Sequence, residues 1–304
     1  MDKMIPLINR YDEAVELLPY QLRGHARLID EADKARAEEF RLRAGQAPTI
    51  VLPEGERPFA SGLVTMKELT AVTEIAAAAS IHAVRDSLRH GYITARGGCR
   101  VGLGGQATVR GGEVTGFLHL GSVAIRIAKE VPGVADAILP QIKDRGRLQS
   151  TLILSPPGGG KTTLLRDVIR QCSDGGRRVA VADERGELAA LRDGAPQMDL
   201  GSRTDVVAGC SKDKAVLMLL RAMNPEVIAM DEITAPADTQ ALESASNCGV
   251  TLLATAHGNS VEDLKRKPMY RRLFRKGLFT RLVIITQGPG GRSYTVKEVE
   301  EVLC

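Results

Sequence analysis

The stretch LSPPGGGKTTLLRD, Leu154 to Asp167, sets three glycines and two prolines directly before a lysine, two threonines and a run of helix formers. It follows TLILS, an apolar run of the length of a buried strand. A strand, a flexible loop and a regular helix in immediate succession severely restrict the fold. The start of such a helix carries backbone N–H groups without partners and the positive end of the helix dipole. A loop that turns further N–H groups toward the same point makes a cradle for phosphate oxygens. Glycine recurs there because side chains would block the close approach.

The spacing follows the phosphate-loop pattern GxxxxGK[ST], with Ser155 where the first glycine usually stands. Ser155, Pro156, Pro157, Gly158, Gly159, Gly160, Lys161, Thr162 and Thr163 are the expected nucleotide-binding residues. In this pattern Lys161 reaches the outer phosphates and the Thr162 hydroxyl binds Mg2+. The second part of the signal is PEVIAMDEIT, an apolar run that ends in two adjacent carboxylates. At the carboxyl end of a parallel strand, Asp231 is placed to hold the metal shell and Glu232 to orient or deprotonate an attacking water.

Two further strand exits add polar groups. RRVAVADERGELA ends in Asp183 and Glu184, and VTLLATAHGNS ends in a polar turn with His257 and Asn259. Phosphoryl transfer depends on positioning and charge neutralisation, so Glu184 and His257 join the candidate catalytic residues with Lys161 and Glu232. Neither an NKxD-type guanine signature nor an LSGGQ-like signature is present, which favours ATP over GTP and disfavours a transporter subunit of the ABC type.

From Thr151 onward, short runs apolar on both faces alternate with helical segments, as expected for a parallel sheet covered on both sides. The preceding chain reads differently. Residues 5–39 carry one or two amphipathic helices, with Val15, Leu17, Leu18, Leu22 and Leu28 as apolar positions; Phe40 to Leu52 has the pattern of a hairpin. Thr65 to Arg89 is helical behind a threonine cap with Glu68 three residues on. Gly91 to Gly121 is glycine-rich, with short strand-like pieces that suit an antiparallel sheet, and Val123 to Asp136 adds one more strand and a Pro-Gly break. The expected fold is therefore α/β: an α+β N-terminal domain over residues 1–133, then a RecA-like P-loop NTPase core with a parallel sheet over residues 134–304.

Composition narrows the function classes. The net charge of +4 over 304 residues gives no general case for nucleic-acid binding, and 3% aromatics without tryptophan leaves little for base stacking. The five cysteines are scattered and never spaced CxxC, so reduced thiols are expected in place of a disulfide framework or zinc site. No apolar run approaches the roughly 20 residues of a membrane span. The stretch MDKMIPLINRYDEAVELLPY has acidic residues where a signal peptide carries its apolar stretch, and a cytoplasmic chain is expected.

Taken together, SPPGGGKTTLLRD, VADERGE, LRAMNPEVIAMDEIT and ATAHGNS, in this order, resemble the secretion and pilus ATPase superfamily: phosphate loop, acidic box, acidic strand exit and histidine box. FRLRAGQAP and SVAIRI are similar to stretches of that superfamily's N-terminal domain. DERGELAA, GSRTDVVAGCSK and AMNPEVIAMDEI point to its sporulation branch, and this resemblance covers nearly the whole chain. It implies an ATP-hydrolysing hexameric ring in the mother cell of an endospore-forming bacterium. It further implies that the ring docks on a membrane protein at the inner face of the membrane and powers a channel to the forespore.

A ring places each nucleotide between subunits, so a neighbour's arginine can stabilise charge on the phosphate. Arg100, Arg110, Arg126 and Arg203 are candidates, with Arg126 and Arg203 preferred. The segment KRKPMYRRLFRKG holds seven basic residues between Lys265 and Lys276. It leaves three readings open: a solvated helix face over buried Leu273 and Phe274, a surface for anionic lipid or an acidic partner, or the basis of the rival function, a RecA-like motor stimulated by nucleic acid.

Overall fold

The computed structural model describes residues 5–77, 91–288 and 291–303. The chain divides into two compact units, Met1–Val131 with Ala190–Met198, and Pro132–Ala189 with Asp199–Cys304.

The first unit opens with three short helices, α1 (Ile5–Val15), α2 (Tyr20–Arg27) and α3 (Glu31–Arg36), one more than the apolar spacing suggested. Val15, Leu17, Leu18 and Leu22 are buried as expected, whereas Leu28 is exposed just beyond the end of α2. The strands β1 (Glu39–Arg43), β2 (Thr49–Leu52) and β3 (Gly55–Pro58) follow, then helix α4 (Met66–Ala77) and the strands β4 (Tyr92–Thr94), β5 (Arg100–Arg110) and β6 (Glu113–Arg126). Their antiparallel sheet runs β3-β2-β1-β6-β5-β4.

The hairpin from Phe40 is present as β1 and β2, with Phe40 opposite Ile50. Thr65 and Glu68 exchange the expected capping bonds at the start of α4: the Thr65 N–H donates to the Glu68 carboxylate at 2.8 Å and the Glu68 N–H to the Thr65 hydroxyl at 3.3 Å. The remainder of that predicted helix, residues 78–89, lies outside the described residues. The strand expected at Val123 is the end of the long β6, not a separate element. Tyr11, Leu18, Phe40, Leu42, Ile50, Leu69 and Ile125 form the heart of this core. Ala190–Met198 belongs to it through the Arg10 guanidinium, which donates to the Gln197 carbonyl at 2.9 Å, and through contact of Ala128, Ala190 and Met198.

The second unit begins with a two-residue ladder, β7 (Lys143–Asp144) and β8 (Arg147–Leu148). Next come β9 (Thr151–Ser155), helix α5 (Lys161–Asp174), β10 (Val179–Asp183), β11 (Thr204–Ala208), α6 (Lys212–Ala222), β12 (Val227–Met230) and α7 (Pro236–Asn247). The chain continues through β13 (Thr251–His257), α8 (Val261–Arg266), α9 (Pro268–Arg275), β14 (Arg281–Gly288), β15 (Gly291–Glu298) and α10 (Val299–Leu303).

The seven-stranded sheet has the order β11-β10-β12-β13-β9-β14-β15 and is parallel except for β15, which returns antiparallel along β14. The sheet is thus largely parallel, with an antiparallel edge that the apolar pattern did not reveal. Leu152, Leu154, Ala180, Ala182, Ile228, Met230, Leu252 and Ala254 occupy alternate positions and share one core with α6, α7 and α9. The intervening Ile153, Val179, Val181, Val227, Ala229 and Leu253 are buried as well. Both faces are covered, and the apolar runs follow from that. Every parallel strand ends at the same sheet edge, where ligands of such sheets bind.

Candidate phosphate site

β9 is buried along its whole length and delivers Ser155 to the sheet edge at 0% exposure. The loop Pro156–Gly160 then turns into α5. Gly158 and Gly160 have φ of +70° and +96°, in the left-handed region that favours glycine. Gly159 is required for another reason: a Cβ there would lie 2.2 Å from the Ser155 Oγ. That hydroxyl donates to the Pro156 carbonyl at 2.7 Å, so Ser155 braces the base of the loop. Gly160 is the N-cap of α5 and supplies no side-chain cap, which leaves the first N–H groups of a 14-residue helix facing the loop. Lys161, Thr162 and Thr163 form its first turn.

The Thr162 hydroxyl donates to Asp231 Oδ2 at 3.0 Å. Asp231 follows β12, and its other oxygen accepts from the Thr255 hydroxyl at 2.6 Å and the Glu232 N–H at 3.1 Å. Three strand exits therefore converge on one carboxylate: those of β9, through the first turn of α5, of β12 and of β13. Thr162 and Asp231 offer hard oxygen donors side by side, the set that suits Mg2+.

Glu232 has φ of +20°, at the margin of the left-handed region. Its N–H also donates to the Thr255 hydroxyl at 2.9 Å, and its carbonyl accepts from Lys212 Nζ at 2.7 Å. Its carboxylate lies 3.7 Å from His257 Nδ1, so two predicted site residues face one another.

At the end of β10, Asp183 and Glu184 separate in role. Asp183 is buried, and its carboxylate accepts the N–H groups of Glu187, Leu188 and Ala189. Burial pushes its pKa up against those three bonds, with a smaller push from the Asp231 charge. Glu184 is more exposed and lies 3.5 Å from Lys212 Nζ. A cleft between these strand ends is lined by Asp183, Glu184, Lys212, Asp231, Glu232 and Thr234 among others.

Of the two preferred arginines, Arg203 lies apart from this cluster within the second unit. Arg203 precedes β11 at the amino ends of the strands, the opposite sheet edge, where its guanidinium donates to the Gly176 carbonyl at 3.1 Å. Arg126 ends β6 in the first unit, 3.9 Å from Glu39 and in register with Arg100, whose guanidinium lies 3.5 Å from the centre of the Tyr92 ring. The basic segment spans α8 and α9, with Tyr270, Leu273 and Phe274 buried and Arg272 and Lys276 paired with Glu243.

Three residues of the cluster were not singled out from sequence. Thr255 lies within ATAHG, Lys212 ends GSRTDVVAGCSK, and Arg292, on β15, donates to the Gly158 carbonyl at 3.3 Å. The first two stood inside motifs already noticed; nothing in GRSYTVKE marks Arg292.

The four described cysteines are free, Cys99 and Cys172 buried and Cys248 exposed. No helix among the described residues is long and apolar enough to cross a membrane.

Comparison with known proteins agrees with this architecture. The chain is 35% identical over 286 residues to stage III sporulation protein AA of Bacillus subtilis strain 168, covering 92% of each chain. The fold is shared with the ATPase DotB of Legionella pneumophila at a TM-score of 0.57 and 16% identity, over 90% of this chain and 83% of DotB. It is shared with the pilus retraction motor PilT at a TM-score of 0.59 and 16% identity, over 86% of this chain and 78% of PilT. The profile of the family described as "Sporulation stage III, protein AA" matches residues 9–299. The chain therefore belongs to the sporulation stage III, protein AA family, with a fold shared with DotB and PilT.

Proposed function

We propose that this protein is an ATP-hydrolysing motor that acts as a hexameric ring and powers a secretion-like channel between mother cell and forespore. The observation that carries the enzymatic part is the 3.0 Å contact of Thr162 with Asp231 at the mouth of an uncapped helix, with Glu232 on the adjoining residue. In this reading the N–H groups of residues 158–163 and the Lys161 ammonium hold the triphosphate. Mg2+ held by Thr162 and Asp231 would neutralise phosphate charge when bound. The Glu232 carboxylate accepts a proton from the water that attacks the terminal phosphorus, and His257, 3.7 Å away, registers the change of charge there.

Sporulation-family membership supports the biological half of the reading, including a cytoplasmic motor docked on a membrane protein of the channel at its inner face. The ring would be built from residues 1–133 as the N-terminal domain and 134–304 as the ATPase domain. Arg203, at the opposite edge of the parallel sheet from the phosphate loop, and Arg126, in the first unit, are assigned to charge neutralisation in trans. The nucleic-acid motor is the weaker reading, because Glu243 already engages two of the seven basic residues on which it rests.

The test is ATP turnover with nucleotide affinity measured in parallel. Lys161→Ala is expected to lose both, and Glu232→Gln to keep ATP binding while turnover falls by about 10²- to 10³-fold. Wild-type turnover in Glu232→Gln overturns the assignment.

A further inference from the structure

Lys212 is an almost fully buried cation, 6% exposed, at the first position of α6. Burying an ammonium is costly unless its protons are taken up and its charge is matched. Here both conditions are met at the turn that carries Glu232. Nζ donates to the Glu232 carbonyl at 2.7 Å and to the Thr234 hydroxyl at 3.1 Å. Carboxylate oxygens of Asp238 and Glu184 each lie 3.5 Å away. Asp238 is itself buried and accepts the N–H groups of Thr234 and Ala235, so the turn is gripped at Glu232, Thr234 and Ala235.

The conformation being gripped is an uncommon one. A φ of +20° at a glutamate is backbone strain that persists only when its surroundings hold it. Thr255 holds the N–H of Glu232 and Lys212 holds its carbonyl; its side chain is left to face His257. Buried ion pairs can often be replaced as a whole by neutral groups of similar size without loss of stability, so a purely structural role for the pair would leave turnover unchanged when both partners are neutralised.

We propose that Lys212 is a positioning residue for Glu232: it fixes the peptide that aims the carboxylate at the attacking water, and through Glu184 it ties that geometry to the end of β10. The inference rests on the reading of Glu232 as the group that activates water.

The experiment compares the full-length chain with Lys212→Met, with Lys212→Met/Asp238→Asn and with Glu232→Gln. The double variant replaces the buried ion pair by neutral groups, so that no charge is left uncompensated and the fold is kept. Expected are ATP affinities within about threefold of wild type and a fall in kcat of about 30- to 100-fold for both Lys212 variants. Lys212→Met added to Glu232→Gln should lower turnover no further, because the group it aims is already disabled. A folded double variant that binds ATP and turns over at the wild-type rate overturns the proposal, as do losses that multiply in the combined variant. A wild-type chain that binds ATP without hydrolysing it, at the level of Glu232→Gln, overturns the ATPase reading itself and this inference with it.

Discussion

The two sheets of this molecule differ in length, direction and burial, and the differences explain why the candidate site lies on only one of them. In the first unit, β5 and β6 run for 11 and 14 residues, pair antiparallel and are mostly half-buried or exposed, with three shifts of register along the ribbon. In the second, β9, β10 and β12 are four or five residues long and buried throughout. An antiparallel ribbon sends its strand ends to opposite edges. Parallel strands all finish at one edge, so Ser155, Asp183, Asp231 and His257, each at or just past a strand end, are brought to the same side of the molecule. Strand direction sorts the polar groups, and burial on both faces keeps them where it puts them.

That contrast is broken most severely by removing the hydroxyl that joins two strand exits. Thr255→Val deletes one of the two acceptors of the Glu232 N–H and one donor to the Asp231 carboxylate. The expected cost is about 1.5–3 kcal/mol, the contribution of a hydrogen bond to a charged group. Hydrogen exchange should show it as faster exchange in β12 and β13 with β1 and β2 unchanged; equal loosening of both sheets would refute the separation.

A smaller effect, of opposite sign in the two units, is expected from pH. Glu56, in β3, is held down to about 2 by its hydrogen bond from Arg43, helped by the Thr49 hydroxyl. Its folded pKa lies below the ordinary value of 4.5, so its stabilisation is complete above that value and is lost as pH falls toward about 2. Asp183 is shifted the other way, upward, by burial. Its folded form keeps a proton that the unfolded chain releases, so it opposes folding increasingly as pH rises above the ordinary value of 3.8 and ceases to do so below it. Between pH 5 and pH 3, protection corrected for intrinsic exchange should fall more in β2 and β3 than in β10. Glu56→Gln should flatten the first response and Asp183→Asn the second. Parallel loss in both places would count against the assignment.

The smallest effect is expected outside both cores. Arg272→Ala removes an exposed partner of Glu243 and should change stability by no more than about 0.5 kcal/mol, read as a nearly unmoved thermal transition.

The same difference in burial decides what could be read from the chain. TLILS, RRVAVAD, PEVIAMDE, VTLLATAHG and RLVIITQG announce themselves because both faces of each strand are covered. TDVVA and GRSYTVKE, the edge strands β11 and β15, are only partly buried, so no apolar run marks them. Leu28 has helical spacing but falls where the chain leaves α2, and Ala190–Met198 reads as an ordinary polar loop although it packs with the first unit. Within the site, the loop and the carboxylates are legible because their chemistry resides in the residue type. Thr255 and Lys212 are not, because their contribution is to backbone atoms of a segment distant in sequence, and Arg292 reaches the loop only through the β14–β15 pairing.

Ser155 stands where the loop pattern usually begins with glycine, and its hydroxyl occupies the space that a methyl group at position 159 would need. The two positions are therefore interlocked. Among descendants of this sequence, drift at 159 is barred for as long as 155 keeps its side chain, and a lineage can exchange which of the pair is the smaller only by changing the strand terminus first.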